Sequence, residues 1–352
     1  MKRLINLLTL TAMLAVCAAP ALAQATQCTD ENKVAWYGTF LKNFKGDPAQ
    51  QKTAYDAAKM YLTNCPADPA DKQADYMQNK FVVPYEKMSA GTALKTQFEE
   101  AFTKKNYADQ IRLGKQVVAA EPDNTAAYII MGVAGLGDPN QLNEAAPFAK
   151  KAIELIEAGK PFAPLATKDA ALAFLNDAVG KANLKTAPAD AIPYFLKAAK
   201  LESALKKDPQ FYLDLANAYA EGPIAKQSEE YKAKYANQTE TPESKLAVDN
   251  LNQFIDRQID ALARATALTT NPTGKKTLMD LLTGLYTDRH KSADALPALL
   301  SSVLTTPVPD MPTMLALPTP PATPTTTPAA TPTTAPAASP SPTPAKPPTS
   351  KP

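Results

Sequence analysis

Apolar residues recur at helical spacing along most of this 352-residue chain. In residues 92–122, Leu94 and Phe98 precede a polar turn, and Ile111, Gly114 and Val118 follow it, in each case three or four residues apart. Such spacing places apolar side chains on one face of a helix. We therefore expect two antiparallel helices joined by a tight turn. Because one hairpin cannot bury its own apolar face, it should stack on similar units.

Helical patterns also precede this hairpin. Residues 30–44 and 48–64 are predicted to form two helices separated by a Lys-Gly-Asp-Pro turn. A third pattern, residues 68–88, contains Pro84, which is expected to kink or end the helix. Residues 24–89 are thus predicted to be an N-terminal helical hairpin region, with a possible degenerate copy of the later hairpins.

Two cysteines flank the first predicted hairpin. Cys28 stands just before its first helix and Cys65 just after its second. An antiparallel hairpin brings these two ends together, so a Cys28–Cys65 disulfide is predicted. Closing such a loop should stabilise the hairpin by about 3–4 kcal/mol. The alternative is a redox-active pair, which normally uses the C-x-x-C spacing that this chain lacks.

Small and bulky residues alternate at fixed offsets in the hairpins that follow. Small residues let two helices approach closely, and larger ones fill the groove of the neighbouring unit. The positions are Gln110, Gly114, Val117 and Pro122, then Tyr128, Met131, Gly132, Gly135, Ala145, Ala149 and Ala152, then Leu172, Leu175, Val179, Ala191, Phe195 and Ala198, then Tyr212, Leu215, Ala216 and Tyr219. Their aromatic residues, Tyr128, Phe195, Tyr212 and Tyr219, are expected in the core.

This order of residues resembles the tetratricopeptide repeat (TPR) family from about residue 90 to residue 220. The first unit fits loosely and the fourth fits best, near the family period of about 34 residues with short insertions. The resemblance implies an all-α fold in which residues 90–221 form a right-handed α-solenoid of antiparallel helix hairpins. It also implies a concave groove, lined by the first helix of each hairpin, that binds a peptide segment of a partner protein.

The resemblance also implies which side chains face the groove. Carried over position by position, they are Lys95, Glu99, Ile129, Val133, Ala173, Asp177, Leu213 and Asn217. A clamp for a peptide's terminal carboxylate, as found in this family, needs several Lys, Arg and Asn side chains, and only Lys95 and Asn217 are of these types. The mixed, rather apolar set favours an extended or helical peptide segment as the ligand.

The repeat pattern fades after residue 221. Residues 222–304 are predicted to be a C-terminal capping region, because two short final helices would cover the last open face of a solenoid. The helices predicted in this region cover 224–236, 243–268, 275–288 and 292–304. Residues 305–352 contain Pro, Thr and Ala with no aromatic residue, which predicts a disordered tail that acts as a spacer or tether. The P-x-x-P spacing from Pro318 to Pro321 leaves a ligand motif open.

Residues 1–23 are typical of a bacterial signal peptide. They have a positively charged start, an apolar run at residues 4–16 and a small-x-small cleavage site. Cleavage would leave a mature chain that starts at Gln24 and is exported to the periplasm or beyond. The alternative is a lipoprotein modified at Cys17, for which Val16 is a poor preceding residue. No later segment is long and apolar enough to cross a membrane.

The charge balance argues against nucleic acid as a partner. The chain has 37 Lys and Arg against 35 Asp and Glu, and the leader holds two of these cations and no acid. The mature chain is therefore neutral and lacks the basic patch that nucleic acid or an anionic membrane requires.

Residue types suited to catalysis are sparse. His290 is the only histidine and stands between Arg289 and Lys291 at a predicted helix end, which a capping cation explains. One histidine and two bridged cysteines make no zinc site. Glu99 and Glu100 point about 100° apart on a helix, so they do not converge as an acid and base pair. No catalytic, cofactor-binding or metal-binding residue is predicted.

The sequence favours an exported TPR-like scaffold or adaptor that binds a peptide segment of a partner protein in the cell envelope, without catalysis. The alternative is a structural envelope spacer whose Pro-rich tail acts as a tether. An enzyme is the third hypothesis, against which stands the lack of a convergent polar set in the sequence.

Overall fold

The computed structural model describes residues 27–317. This part of the chain is built of helices joined by short turns and has no strand, which confirms the predicted all-α class. The helices are α1 (Asp30–Asn43), α2 (Pro48–Asn64), α3 (Lys72–Tyr76), α4 (Val83–Thr103), α5 (Tyr107–Ala120), α6 (Thr125–Gly137), α7 (Leu142–Glu157), α8 (Lys168–Leu184), α9 (Pro188–Lys200), α10 (Pro209–Tyr219), α11 (Ala225–Tyr235), α12 (Pro242–Leu268), α13 (Pro272–His290) and α14 (Leu296–Ser302).

Three predictions lie outside the described residues. They are the signal peptide at residues 1–23, the alternative lipidation at Cys17, and residues 318–352 of the predicted tail. Among residues 27–317, no helix combines the length and the apolar character needed to cross a membrane.

Helices begin where the sequence supplies a cap. The Thr29 hydroxyl accepts a hydrogen bond from the Asn32 amide at the start of α1. Asp47 and Gln50 form a reciprocal capping box at the start of α2. Such caps satisfy amide groups that lack partners in the first helical turn, which fixes where each helix begins.

The predicted disulfide closes the N-terminal pair of helices. Cys28 and Cys65 are bonded, with their Cα atoms 4.9 Å apart. The start of α1 therefore lies beside the end of α2. The cluster beneath the bond consists of Trp36, Phe40, Ala54, Ala57, Ala58, Tyr61, Met77 and Val82. We call residues 27–82 the N-terminal unit.

The helix does not end at Pro84, which was one of the two predicted outcomes, because α3 continues into α4 through a π-helical turn at Met77–Val82. Pro84 is the second residue of α4 and directly follows the π-helical turn, an irregularity of the kind at which a continuous helix accommodates a residue without an amide hydrogen. One helix therefore runs from residue 72 to residue 103, and the predicted boundary between residues 89 and 90 falls inside it.

A second π-helical turn lies at the other predicted boundary, between residues 221 and 222. The turn Ala220–Ile224 joins α10 to α11, so the boundary between residues 221 and 222 also falls inside a continuous helix. Gly222 is buried there, and a Cβ atom on it would lie 2.8 Å from the Ala189 nitrogen. The missing side chain lets the start of α9 pack against this turn.

Helices α5 to α10 pack against one another in chain order, and α6 and α10 also contact α8. A Cβ atom on Gly132 of α6 would lie 2.7 Å from the Ala149 Cα atom of α7. Three small residues of α7, namely Ala145, Ala149 and Ala152, are inaccessible to solvent. The expected core aromatics Phe195, Tyr212 and Tyr219 are buried, whereas Tyr128 is half-buried.

The long helix α12 packs against α10, α13 and α14. The short 3-10 turn Val303–Thr305 follows α14, and Val303 is buried. Residues 306–317, which the sequence assigned to a disordered tail, lie against the helical body and make hydrogen bonds to α12. That assignment was wrong for these residues, which carry Val, Met, Leu and Asp side chains that residues 318–352 lack.

Candidate functional site

The structure places the eight predicted groove residues on α4, α6, α8 and α10, with two on each helix. Five of them are exposed or half-buried: Lys95, Glu99, Val133, Leu213 and Asn217. The Lys95 ammonium lies 2.5 Å from the Glu121 carboxylate at the end of α5.

The other three predicted groove residues are buried, so their assignment to an open groove was wrong. Ile129 and Ala173 are inaccessible, and Asp177 is 1% exposed. Ile129 packs in a cluster with residues of α7 and α8, and Ala173 packs in the cluster of α9, α10 and α12. The neighbouring helices therefore cover the face that the family pattern left open.

Asp177 belongs to a buried polar network between α8 and α10. Its Oδ2 atom lies 2.8 Å from the Lys181 Nζ atom, which also lies 3.6 Å from the Asp214 carboxylate. Gln210 donates a hydrogen bond of 2.7 Å to Asp214. The second oxygen of Asp177, Oδ1, is buried and has no hydrogen-bond partner among the described residues.

Burial dominates the electrostatics of this network. It raises the pKa of Asp177 to about 6, although Lys181 acts in the opposite direction. Burial also raises the pKa of Asp214, against the hydrogen bond from Gln210 and the charge of Lys181. For Lys181, burial is the largest single influence and lowers the pKa, but the charge and hydrogen bond of Asp177 together with the charges of Asp214 and Asp208 outweigh it, so the pKa is raised. The network holds its charges together inside the body.

The accessible feature with the most specific contacts is the pairing of α12 with residues 306–317, which we call the docked segment. Three polar residues of α12 make the contacts: Asn250, Arg257 and Arg264. They stand seven residues apart, which is close to two helical turns, so they form one stripe along the helix.

The stripe binds the main chain of the docked segment. Arg264 Nη2 donates to the Pro307 carbonyl at 3.1 Å, and Arg257 Nε donates to the Asp310 carbonyl at 2.7 Å. Asn250 makes two bonds to Leu315: its Oδ1 accepts from the amide nitrogen at 2.7 Å, and its Nδ2 donates to the carbonyl at 3.1 Å.

Three side-chain contacts accompany these bonds. Arg264 Nη2 also donates to the Thr306 hydroxyl at 3.4 Å. Lys200, at the end of α9, forms an ion pair with Asp310. The Tyr219 hydroxyl of α10 lies 3.8 Å from the Met311 sulfur. Burial raises the pKa of Tyr219, so its hydroxyl stays protonated and can donate.

The docked segment is extended and runs antiparallel to α12. The helix rises about 1.5 Å per residue, so Arg264 and Asn250 are about 21 Å apart along its axis. The segment covers this distance in the eight residue steps from Pro307 to Leu315, about 2.6 Å per step on average, which requires an open, non-helical backbone. The body therefore binds a strand-like peptide through its backbone.

Little of the docked segment is buried. None of residues 306–317 is fully buried, and Met311, Met314 and Leu315 are 41%, 46% and 51% exposed. In contrast, Val303 directly before the segment is 1% exposed. Main-chain hydrogen bonds, rather than apolar burial, hold the segment in place.

A cleft opens at each end of the stripe. At the Asn250 end, a cleft of about 280 Å³ lies between α11 and α12, with Tyr231, Tyr235 and Met314 in its lining. The two tyrosine rings are 5.4 Å apart. At the Arg264 end, a cleft of about 520 Å³ is lined by residues that include Tyr212 and Val308.

His290 is explained by its local contacts. It ends α13, its ring lies 4.3 Å from the Tyr286 ring, and its Nε2 atom is 3.9 Å from Asp256. Asp256 is bound in a bidentate manner by Arg289 at 2.8 and 2.9 Å. Within residues 27–317, no group of three or more His, Cys, Asp or Glu side chains is arranged to hold a metal ion.

Sequence reasoning missed the stripe and its ligand. Asn250, Arg257 and Arg264 recur at a heptad interval on a helix whose other face is apolar, which is a detectable signal. The segment also carries Val, Met, Leu and Asp residues, whereas residues 318–352 contain almost only Pro, Thr, Ala, Ser and Lys. The composition therefore changes fully at residue 318 rather than at residue 305.

Comparison of the chain with protein-family models, with curated proteins and with solved structures finds no match.

Proposed function

We propose that this protein is an exported helical scaffold or adaptor that binds an extended peptide segment of a partner protein in the cell envelope, without catalysis. In this proposal, helices α4 to α10 are TPR-like hairpins that form a right-handed α-solenoid. The protein partner, the envelope location and the solenoid are parts of one proposal.

The helix contacts support the solenoid. Consecutive helices pack pairwise, and α6, α8 and α10 also contact one another in order, as the first helices of stacked hairpins would. These three helices start at Thr125, Lys168 and Pro209, an interval longer than the family's 34 or so residues. The loop before α8 and the short 3-10 turns at Pro139–Gln141 and Ala204–Lys207 account for the added length.

The contacts of the docked segment are the main support for the binding function. The body holds residues 306–317 of its own chain by four hydrogen bonds from the α12 stripe to main-chain atoms. Main-chain atoms are common to all peptides, so this surface is suited to extended segments in general. The Cys28–Cys65 disulfide supports export, because such bonds persist in oxidising compartments.

Site-specific photo-crosslinking in the producing cell tests the function. A photoreactive residue would replace Leu317, beside the stripe, or Asn217, on the predicted groove. Lys52 and Lys276, exposed on α2 and α13, serve as control positions. We expect a crosslinked protein partner at Leu317 or Asn217 and none at the controls. Equal crosslinking at all four positions, or none at any, would reject the scaffold.

The alternative function is an envelope spacer with a tethering tail. It is favoured by the way the docked segment fastens the chain to the body just before the Pro-rich stretch begins. Deleting residues 318–352 separates the two functions, because it leaves the docked segment in place. A scaffold keeps its crosslinked partner after the deletion, whereas a tether loses its retention in the envelope.

A further inference from the structure

We propose that the α12 stripe is an exchangeable docking site for an extended, proline-containing strand of another polypeptide, and that the docked segment occupies it in cis. This inference rests on the proposed function and specifies its site and its regulation. The incoming strand displaces residues 306–317 and takes over their hydrogen bonds.

The stripe selects backbone conformation rather than sequence. Its bonds go to the carbonyls of Pro307, Asp310 and Leu315 and to one amide, that of Leu315. A proline-rich strand has few amide donors to satisfy and is already extended, so it loses little conformational entropy on binding. The stripe needs only one amide, which suits such a strand.

Two features of the surface around the stripe define which side chains an incoming strand can carry. Lys200 pairs with Asp310, and the carbonyl of the same residue accepts from Arg257, so a carboxylate is favoured at this position. At the far end, the rings of Tyr231 and Tyr235 line a cleft that also contains the charged side chains of Glu230 and Lys234. Met314 of the docked segment lies in this cleft, and aromatic rings of this kind also accept the ring of a proline. The fitting ligand is an extended, proline-containing strand with one acidic residue.

The docked segment is held in a way that permits exchange. Its side chains are largely exposed, so apolar burial contributes little to docking. Val303 anchors the chain just before the segment, so residues 306–317 can leave the stripe without unfolding α14. The covalent link gives the segment a high effective concentration, which keeps the stripe occupied until a better strand arrives.

The test uses the full chain and a labelled synthetic peptide with the sequence of residues 306–317. Leu315→Pro removes the amide hydrogen that residue 315 donates to Asn250 Oδ1. The loss of this hydrogen bond weakens docking in cis and leaves the stripe intact. Ala316→Pro is the matched control, because the Ala316 amide makes no hydrogen bond to the body. By fluorescence anisotropy, we expect the peptide to bind the Leu315→Pro chain about tenfold more tightly than the wild type or the control.

Three further measurements make the test specific. Asn250→Ala in the Leu315→Pro chain should abolish the gain, and Asp310→Lys in the peptide should weaken its binding. In the wild-type chain, added peptide should speed hydrogen exchange at the Leu315 amide, which displacement predicts and binding elsewhere does not. All substitutions lie on accessible side chains, so circular dichroism should be unchanged.

Equal affinity of the peptide for the three chains, or no binding to any of them, would overturn the exchangeable site. The peptide has the chain's own sequence, so this outcome says nothing about a partner protein. The scaffold function is tested separately, by photo-crosslinking. Conversely, the peptide can exchange on the stripe while no partner crosslinks, which would count against the scaffold alone.

Discussion

Individual polar residues, placed where the helices are otherwise apolar, give this protein its distinctive sites. The side-chain amide of Asn250 makes two hydrogen bonds to the main chain of Leu315 in the docked segment. Asp177 is the opposite case, because it is buried and one of its oxygens lacks a partner. A buried polar atom without a partner is costly, so Asp177 should reduce stability when it is ionised.

The contribution of Asp177 to the free energy of unfolding should therefore fall as pH rises from about 4 to about 6. The pKa of Asp177 is near 6 in the folded chain and near 3.8 as a free side chain. The folded state binds the proton more tightly, so this stabilising contribution is present below pH 4 and lost by about pH 6. Its full size is about 3 kcal/mol.

Asp177→Asn should remove this pH dependence. Urea unfolding of the variant and the wild type at pH 4, 5, 6 and 7.5 measures the difference between them, which should grow with pH up to about 6. Asp249→Asn, at an exposed position of α12 that makes no ion pair, is the control. A difference that is constant over the whole pH range would contradict the account of Asp177.

At the scale of helices, two neighbouring helices can approach each other closely only where the residues between them have small side chains. Gly132 lets α6 lie against Ala149 of α7, and the alternation of small and bulky residues in the sequence anticipated this contact. Gly91, in contrast, lies in the exposed part of α4, and nothing lies within 4 Å of a Cβ atom built there.

Gly132→Ala should destabilise the protein by about 1–3 kcal/mol, because the new methyl group meets the backbone of α7. Gly91→Ala should stabilise it by about 0.5–1 kcal/mol, because alanine favours a helix and meets no neighbour. Thermal unfolding of both variants gives the comparison. If Gly132→Ala is as benign as Gly91→Ala, the helices are further apart than described.

Helix positions could be read from the sequence, but the sides that neighbours cover could not. The spacing of apolar residues placed α1, α2 and α12 within one residue of their observed bounds, because periodicity is local. Ile129 and Asp177 were assigned to an open groove, yet packing by other helices buries both, which is a long-range effect. The sequence left open whether the helix is kinked or ends at Pro84 for a related reason, because a π-helical turn depends on hydrogen bonds that no residue pattern encodes.

At the scale of the molecule, the N-terminal unit has its own core. The cluster around Phe40 and Tyr61 ends at Val82, and the next cluster along the chain begins with Phe98. Most residues of α4 between these clusters are exposed. The unit is therefore stabilised by its own packing and by the disulfide.

Replacing Cys28 and Cys65 by serine should loosen the N-terminal unit and leave the rest unchanged. The loss of about 3–4 kcal/mol corresponds to at least a hundredfold faster hydrogen exchange in α1 and α2. Exchange in α8 and α12 should stay as in the wild type. Equal acceleration in all four helices would mean that the chain unfolds as one unit.

The antiparallel course of the docked segment also determines how the body would respond to a mechanical load. Pulling residues 318–352 outward from the surface strains the Asn250 contact first, then Arg257, then Arg264, so the segment peels off at low force. Pulling them along the helix axis strains all the contacts together, which resists a much larger force. The same attachment is therefore weak in one direction and strong in another.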